Sequence, residues 1–148
     1  IDSTGPEASY YQFLYATVYY ANKEGTALLA SNLKIPYVGS VTEEEIVLRQ
    51  LIDGPVAENM YPVLSEDVNV LEVSTKDNVC TVNLSKDFLD KLPEVSEETV
   101  IYSVVNTLAE LPGIYQVQFL IEGKPEKLYQ KMDLTRLYER NLDIIEKE

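Results

Sequence analysis

The sequence has no histidine, no tryptophan, a single cysteine and few basic residues. It also lacks any apolar run near the roughly 18 residues that a membrane-spanning helix requires. Each absence removes a class of function. Without histidine there is no imidazole to serve as the base of a serine or cysteine nucleophile, and a hydrolytic zinc site loses its commonest nitrogen ligand. Without tryptophan the typical stacking platform for a sugar ring is missing. The lone Cys80 cannot close an internal disulfide, so no disulfide framework exists. It sits in the alternating run Val79–Leu84, where a small buried apolar residue is the expected role, and a thiol with no imidazole base is a poor nucleophile.

Scarcity of base leaves a strongly acidic chain: 12 Lys and Arg against 25 Asp and Glu, net −13. Such a field repels phosphate and anionic lipid, which argues against nucleic-acid and membrane-surface roles. The acid is unevenly spread. Residues 38–67 hold seven acids and one base, while 122–148 hold seven acids and six bases. Lys124, Lys127, Lys131, Arg136 and Arg140 therefore make the C-terminal stretch the least negative zone. It reads either as a solvated face with helix-end charges or as a docking strip for an acidic partner.

What is present fits one domain. At 148 residues folding should bury roughly 68–70% of the unfolded chain's surface. The chain opens with Ile1-Asp2-Ser3-Thr4 and has no initiator methionine, so it is expected to be trimmed from a longer protein, with any signal peptide or anchor cut away. An N-terminal tail over 1–11, a domain over 12–142 and a C-terminal tail over 143–148 are expected.

The aromatic and β-branched run 12–21 predicts a strand. Asn22 to Gly25 supply a turn, and 26–35 can return as a second strand. Thr42 with Glu45 matches a capping box, predicting a helix from Glu43 to Asp53 with Val47, Leu48, Leu51 and Ile52 inward; Gly54-Pro55 ends it. Val68–Lys76 and Val79–Leu84 flank Asp77-Asn78, a pair suited to a two-residue hairpin turn. In that register Leu71 faces Leu84, Val73 faces Val82 and Thr75 faces Cys80 on an apolar side, with Glu72–Asn83 and Ser74–Thr81 on a wet side. A short turn with Phe88 and Leu89 follows. Ser96 then caps a second helix whose stripe is Val100, Ile101, Val104, Val105 and Leu108. Pro112-Gly113 stops it, Tyr115–Glu122 reads as a strand, and 134–145 as a short C-terminal helix. The class is α+β: a small antiparallel or mixed sheet with two helices packed on one face.

The run Ser103-Val104-Val105-Asn106-Thr107-Leu108-Ala109-Glu110-Leu111-Pro112-Gly113, followed by Val117-Gln118-Phe119-Leu120-Ile121-Glu122-Gly123, closely resembles the GerM domain of sporulation and spore-germination proteins. Val18-Tyr19-Tyr20 with Asn22 and Gly25, Leu51-Ile52-Asp53-Gly54-Pro55, the hairpin Leu71–Leu84, Asp133-Leu134-Thr135 and Arg140-Asn141 also match its pattern. The resemblance spans about residues 14–141. Tyr61-Pro62-Val63-Leu64 departs from it, since a Pro-Gly or Pro-x-Gly turn belongs there. The resemblance implies a fold like the ring-building motif of sporulation secretion channels, and a place outside the cytoplasmic membrane of Gram-positive, often spore-forming bacteria. It further implies secretion or an N-terminal lipid anchor, no catalysis, no cofactor, and a role in assembly through protein partners or copies of the chain itself.

Side chains that invite a chemical reading have simpler ones. Asn106 and Thr107 suggest a polar site, but as helix residues they can bond backbone or Gln118. Glu43, Glu44 and Glu45 suggest a metal cluster, but adjacent helical positions diverge, so they read as first-turn charges. A second class of function, binding or carboxylate-based hydrolysis of cell-wall glycan, would need two facing carboxyls across a cleft. The candidate partner surface lies on the first strand. Tyr11, Phe13, Tyr15, Thr17 and Tyr19 share one face, and Leu14, Ala16, Val18 and Tyr20 the other, so either something covers the aromatic stripe or a partner docks on it.

Overall fold

Turn and capping residues organise the chain over residues 12–147, the part that the computed structural model describes. Strands β1 (Gln12–Ala21) and β2 (Leu28–Tyr37) form a long antiparallel hairpin with no bulge, Gln12 opposite Tyr37 at one end and Ala21 opposite Leu28 at the other. Asn22 shapes the turn: its Oδ1 accepts the amides of Thr26 and Ala27 at 3.0 and 3.2 Å. The turn is thus longer than expected and the second strand starts two residues later. Gly25 is required within it. Its φ is +74°, and a Cβ there would lie 1.8 Å from the Glu94 carbonyl oxygen. The bare backbone lets the turn press on the segment entering the second helix, where Ser96 N–H donates to Gly25 O at 2.9 Å.

Helix α1 (Glu43–Asp53) starts where Thr42 Oγ1 accepts the Glu45 amide at 3.2 Å. The other half of the expected capping box does not form, because the Glu45 carboxylate reaches forward to Arg49 at 2.6 Å. Gly54, at φ 91°, ends the helix. Strands β3 (Val70–Lys76) and β4 (Val79–Leu84) turn through Asp77 and Asn78, both at positive φ. The register matches the sequence reading for Glu72–Asn83, Val73–Val82, Ser74–Thr81 and Thr75–Cys80. It departs from it at Leu71. A bulge sets Val70 opposite Leu84 and leaves Leu71 47% exposed. Asn69 and Ser85 fix that end, Ser85 N–H donating to Asn69 O and Asn69 N–H to Ser85 Oγ, so the extra residue is expelled.

A 3₁₀ turn (Lys86–Leu89) buries Phe88, and helix α2 (Glu97–Ala109) follows, Ser96 Oγ accepting the Thr99 amide at 3.2 Å. The helix crosses over to β5 (Gln116–Ile121), which runs parallel to β4. Sequence reasoning placed a helix over 134–145. The structure has instead a ribbon of β6 (Leu128–Tyr129) with β7 (Met132–Asp133), then β8 (Tyr138–Glu139) antiparallel to β5, then a 3₁₀ turn at Leu142–Ile144. Asp133 Oδ1 takes both the amide and the hydroxyl of Thr135, a local closure that competes with helical bonding. After β8 the described chain packs against β2: Ile145 bridges to Leu28, and Glu146 N–H donates to Leu28 O at 2.7 Å.

The main sheet has the order β3-β4-β5-β8, with α1 and α2 on one face. That face carries Cys80, Val82, Leu84, Val117, Phe119 and Ile121, all buried. The opposite face is polar, with Thr81 donating to Gln118 at 3.2 Å. α2 packs on β5 and β8 on one side and on β1 on the other, so from Thr99 to Leu108 every residue but Tyr102 is buried. An uncharged sequence between Glu98 and Glu110 suits a helix covered all round. A chain of aromatic contacts, Tyr129–Phe88–Phe119–Tyr138–Tyr102, at centroid distances of 5.0 to 6.0 Å, holds the C-terminal ribbon to the core.

Candidate interaction surface

A strand in a two-stranded hairpin has one edge paired and one open, and successive residues alternate between them. In β1 the open edge belongs to Phe13, Tyr15, Thr17, Tyr19 and Ala21, because the backbone groups of Tyr19 and Ala21 point away from β2. Ala21 exchanges both backbone bonds with Tyr61, at 3.0 and 2.9 Å, and so the loop that departs from the family pattern is anchored here. Tyr19 is closed by a helix: its N–H donates to Thr107 Oγ1 at 3.0 Å, and its carbonyl accepts from Ser103 Oγ at 2.6 Å. Beyond Tyr19 the hairpin runs past the end of α2. Among the described residues, no hydrogen-bond partner meets the outward backbone groups of Phe13, Tyr15 and Thr17.

The aromatic stripe is accordingly divided. Phe13 and Tyr15 are 50% and 74% exposed, and Lys34 Nζ stands 4.3 Å over the Phe13 ring. Thr17 is half-buried and donates to Asn32 Oδ1. Tyr19 does not share the exposed surface: it is buried, its hydroxyl donating to Glu110 Oε2 at 2.6 Å. Burial first, and the Glu110 carboxylate second, push its pKa up to about 12. Tyr11 lies outside the described residues. Leu14, Ala16 and Leu33, together with Tyr15 and Thr17 along the β1 edge, line a groove of about 680 Å³ between the hairpin, Glu43 at the start of α1, and Glu110 to Pro112 after α2.

The five candidate cations are all exposed and spread along the C-terminal ribbon. Each of several has an acid at hand. Lys127 and Arg136 flank Asp133, whose carboxyl is held below its ordinary range chiefly by the Thr135 hydrogen bonds. The Lys131 amide donates to Glu97, and the Arg136 guanidinium stacks on Tyr138 at 4.6 Å. Arg140 caps α2 through the Ala109 carbonyl and lies 3.7 Å from Glu110. This is an interleaved surface, with Lys124 at the β5–β6 turn.

The two polar candidates inside the fold, Asn106 and Thr107, bond to backbone. Asn106 and Asn141 exchange reciprocal bonds of 2.9 Å, and Thr107 serves Tyr19; Gln118 is on the wet face and reaches neither. Glu43, Glu44 and Glu45 diverge, Glu44 accepting from Thr75 at 2.6 Å and Glu45 pairing with Arg49. Among the described residues no three acidic or sulfur side chains converge on a point that could hold a metal ion. Cys80 is buried, and desolvation pushes its thiol up to about 11. What sequence reasoning missed is the edge itself. The parity of Phe13, Tyr15 and Thr17 was readable, but the reach of α2 along β1 is a tertiary fact.

A family model described as Germane, sporulation and spore germination, matches residues 17–127. No curated protein sequence matches the chain. Among solved structures, the tandem GerMN domains of the sporulation protein GerM from Bacillus subtilis align with a TM-score of 0.73 at 23% identity, over 98% of this chain and 51% of that one. This chain thus spans about half of the tandem structure. The first GerMN domain of the same protein aligns at 0.63 and 20% identity, over 88% of this chain and 98% of that one. A Clostridium perfringens protein described as a candidate lipoprotein aligns at 0.59 and 18% identity, covering 86% and 87%. No helix among the described residues is long and apolar enough to cross a membrane.

Proposed function

The chain belongs to the Germane family, sporulation and spore germination, and from that premise we propose that it is a non-catalytic domain that holds a protein partner outside the cytoplasmic membrane. A lipid anchor outside this sequence would tether it there, in line with the description of the Clostridium perfringens neighbour. The observation that carries the proposal is the projecting β1–β2 arm. It presents Phe13 and Tyr15 to solvent, and Tyr15 also borders a groove lined by apolar and charged side chains. Exposed aromatics on a rigid strand are suited to recognition, because they bury large area with little rotamer entropy to lose. The polar side chains that could suggest chemistry are instead engaged in backbone bonds, and the thiol is buried.

The test is complementation in the organism that encodes the chain. Replacing Phe13 and Tyr15 together by serine is expected to leave the thermal melt in place and to reduce sporulation or germination. A normal phenotype would remove the arm from the role. Turnover of peptidoglycan fragments by the pure protein, abolished by one carboxylate-to-amide substitution, would install glycan hydrolysis in its place.

A further inference from the structure

Resting on the interaction role proposed above, we infer that the β1 edge at Phe13–Thr17 is a strand-addition site, and that its occupant is an extended segment of another protein flanked by basic residues. An unpaired strand edge templates another strand, and folded proteins usually blunt such edges with charge, proline, bulges or cover. The outer edges of β2 and β3 are blunted. β2 carries Lys34 and Pro36 on its outer side, and its far end is covered by Ile145 and Glu146. β3 has the bulge at Leu71 together with Glu72 and Lys76. β1 is sealed at Ala21 by Tyr61 and at Tyr19 by Ser103 and Thr107, and among the described residues the sealing stops there. From Gln12 to Ala21 it has no charge, no proline and no bulge.

The open stretch offers the backbone N–H and C=O groups of Phe13, Tyr15 and Thr17, all facing one way. A segment added there runs between two surfaces. One set of its alternate side chains lies toward Leu14, Ala16 and Leu33 and the other toward Phe13 and Tyr15, with the groove running along the edge between them. Charge selects the occupant. The groove walls contribute Glu43 and Glu110 against Lys34, with Arg140 3.7 Å from Glu110, so the selecting field is chiefly that of the whole chain, which carries −13. A second copy would bring a like field of the same size, whereas lysine or arginine at the ends of an apolar segment would meet opposite charge.

Backbone amide exchange, read residue by residue, tests this directly on the full chain. The probe is a short synthetic peptide of alternating valine and threonine with lysine at each end; its controls carry glutamate at each end or N-methyl groups along one edge. In the free protein the amides of Phe13, Tyr15 and Thr17 should exchange freely while those of Leu14, Ala16 and Val18 are protected. The lysine peptide should slow the three edge amides roughly tenfold or more, added salt should weaken the effect, and both controls should fail. Tyr15→Pro removes the central donor where its N–H faces outward, a position at which an edge strand tolerates proline. It should abolish protection without moving the melt. If it lowers the melt, Tyr15→Lys keeps the backbone and should weaken lysine-peptide protection by charge alone. Edge amides already protected in the free chain would overturn the proposal: independent of concentration, its own segment fills the edge; rising with concentration, a second copy does. Equal protection by the lysine and glutamate peptides, or by none, would also overturn it. Any of these outcomes leaves the interaction role to stand or fall on the complementation of the Phe13 and Tyr15 variants.

Discussion

Thr107 of α2 takes the amide hydrogen of Tyr19 at 3.0 Å, so a helix side chain closes a strand edge where another strand would ordinarily pair. One helical turn earlier, Ser103 supplies the hydroxyl that bonds the Tyr19 carbonyl. Two small hydroxyls four residues apart thus satisfy both backbone groups of one buried strand residue. Thr107→Val keeps the shape and deletes the acceptor. Leaving the Tyr19 amide buried and unpaired should cost roughly 1–3 kcal/mol. Chemical denaturation should show that loss, together with faster exchange of the Tyr19 amide. An unchanged midpoint would mean that the edge finds another partner.

The Tyr19 hydroxyl makes stability fall at alkaline pH. Its folded pKa is about 12 against an ordinary value of 10.0, raised by burial and by the Glu110 carboxylate. Below the ordinary value both folded and unfolded states hold the proton, and the stabilisation is complete. As pH rises through that window the unfolded state releases its proton first, and stability is lost. Tyr20, Tyr138 and Cys80 are also shifted upward by burial, so the wild-type slope is a sum. Tyr19→Phe should flatten the slope measured by denaturation midpoints across this range; an identical slope would remove Tyr19 as a contributor.

Tyr129 offers a change in the opposite sense. Its ring stacks on Phe88 at 5.0 Å, yet its buried hydroxyl has no hydrogen-bond partner among the described residues. The ring supplies the packing, and the hydroxyl bears a desolvation cost. Tyr129→Phe should therefore be neutral or stabilising, by up to about 1 kcal/mol, seen as a raised denaturation midpoint. A clear loss of stability would show that the hydroxyl is satisfied in solution.

Cys80 supplies a reporter of global opening. With the thiol fully buried and pushed up to about 11, little thiolate exists near neutral pH and none of it is accessible. Labelling by a thiol reagent should track the unfolding equilibrium, slow in buffer and fast in denaturant. Rapid labelling of the native chain would place Cys80 nearer solvent than the sheet allows.

The sequence made some elements legible because their determinants are local. Thr42 and Ser96 cap the two helices, Gly54 and Pro112-Gly113 stop them, and Asp77-Asn78 sets the β3–β4 turn. Leu71 was misplaced because the bulge depends on Asn69 and Ser85 meeting across the hairpin. The stretch 134–145 reads as helix in sequence, whereas its order comes from Tyr138 joining Tyr129 in an aromatic cluster with Phe88 and Phe119, contacts distant in sequence. Of the candidate surface, alternation along β1 separated Phe13 and Tyr15 from Leu14 and Ala16. It could not tell that α2 would cover Tyr19 and leave Tyr15 bare.

That division makes two substitutions on one strand face behave differently. Tyr15 is 74% exposed and makes no side-chain hydrogen bond among the described residues, so Tyr15→Ser should change stability by no more than about 0.5 kcal/mol. Tyr19 is 5% exposed, and its hydroxyl ties β1 to Glu110 beside Arg140. Tyr19→Ser removes a buried ring and that bond together, and should cost roughly 3–5 kcal/mol. Partner capture should respond the other way: Tyr15→Ser weakens it in a fully folded protein, whereas Tyr19→Ser affects it only in proportion to the fraction unfolded. Thermal melts beside sedimentation or capture measurements on both variants separate these effects. If Tyr15→Ser binds as well as the parent, the exposed ring contributes nothing to recognition, and the backbone edge beneath it is left as the part of the arm that a partner can read.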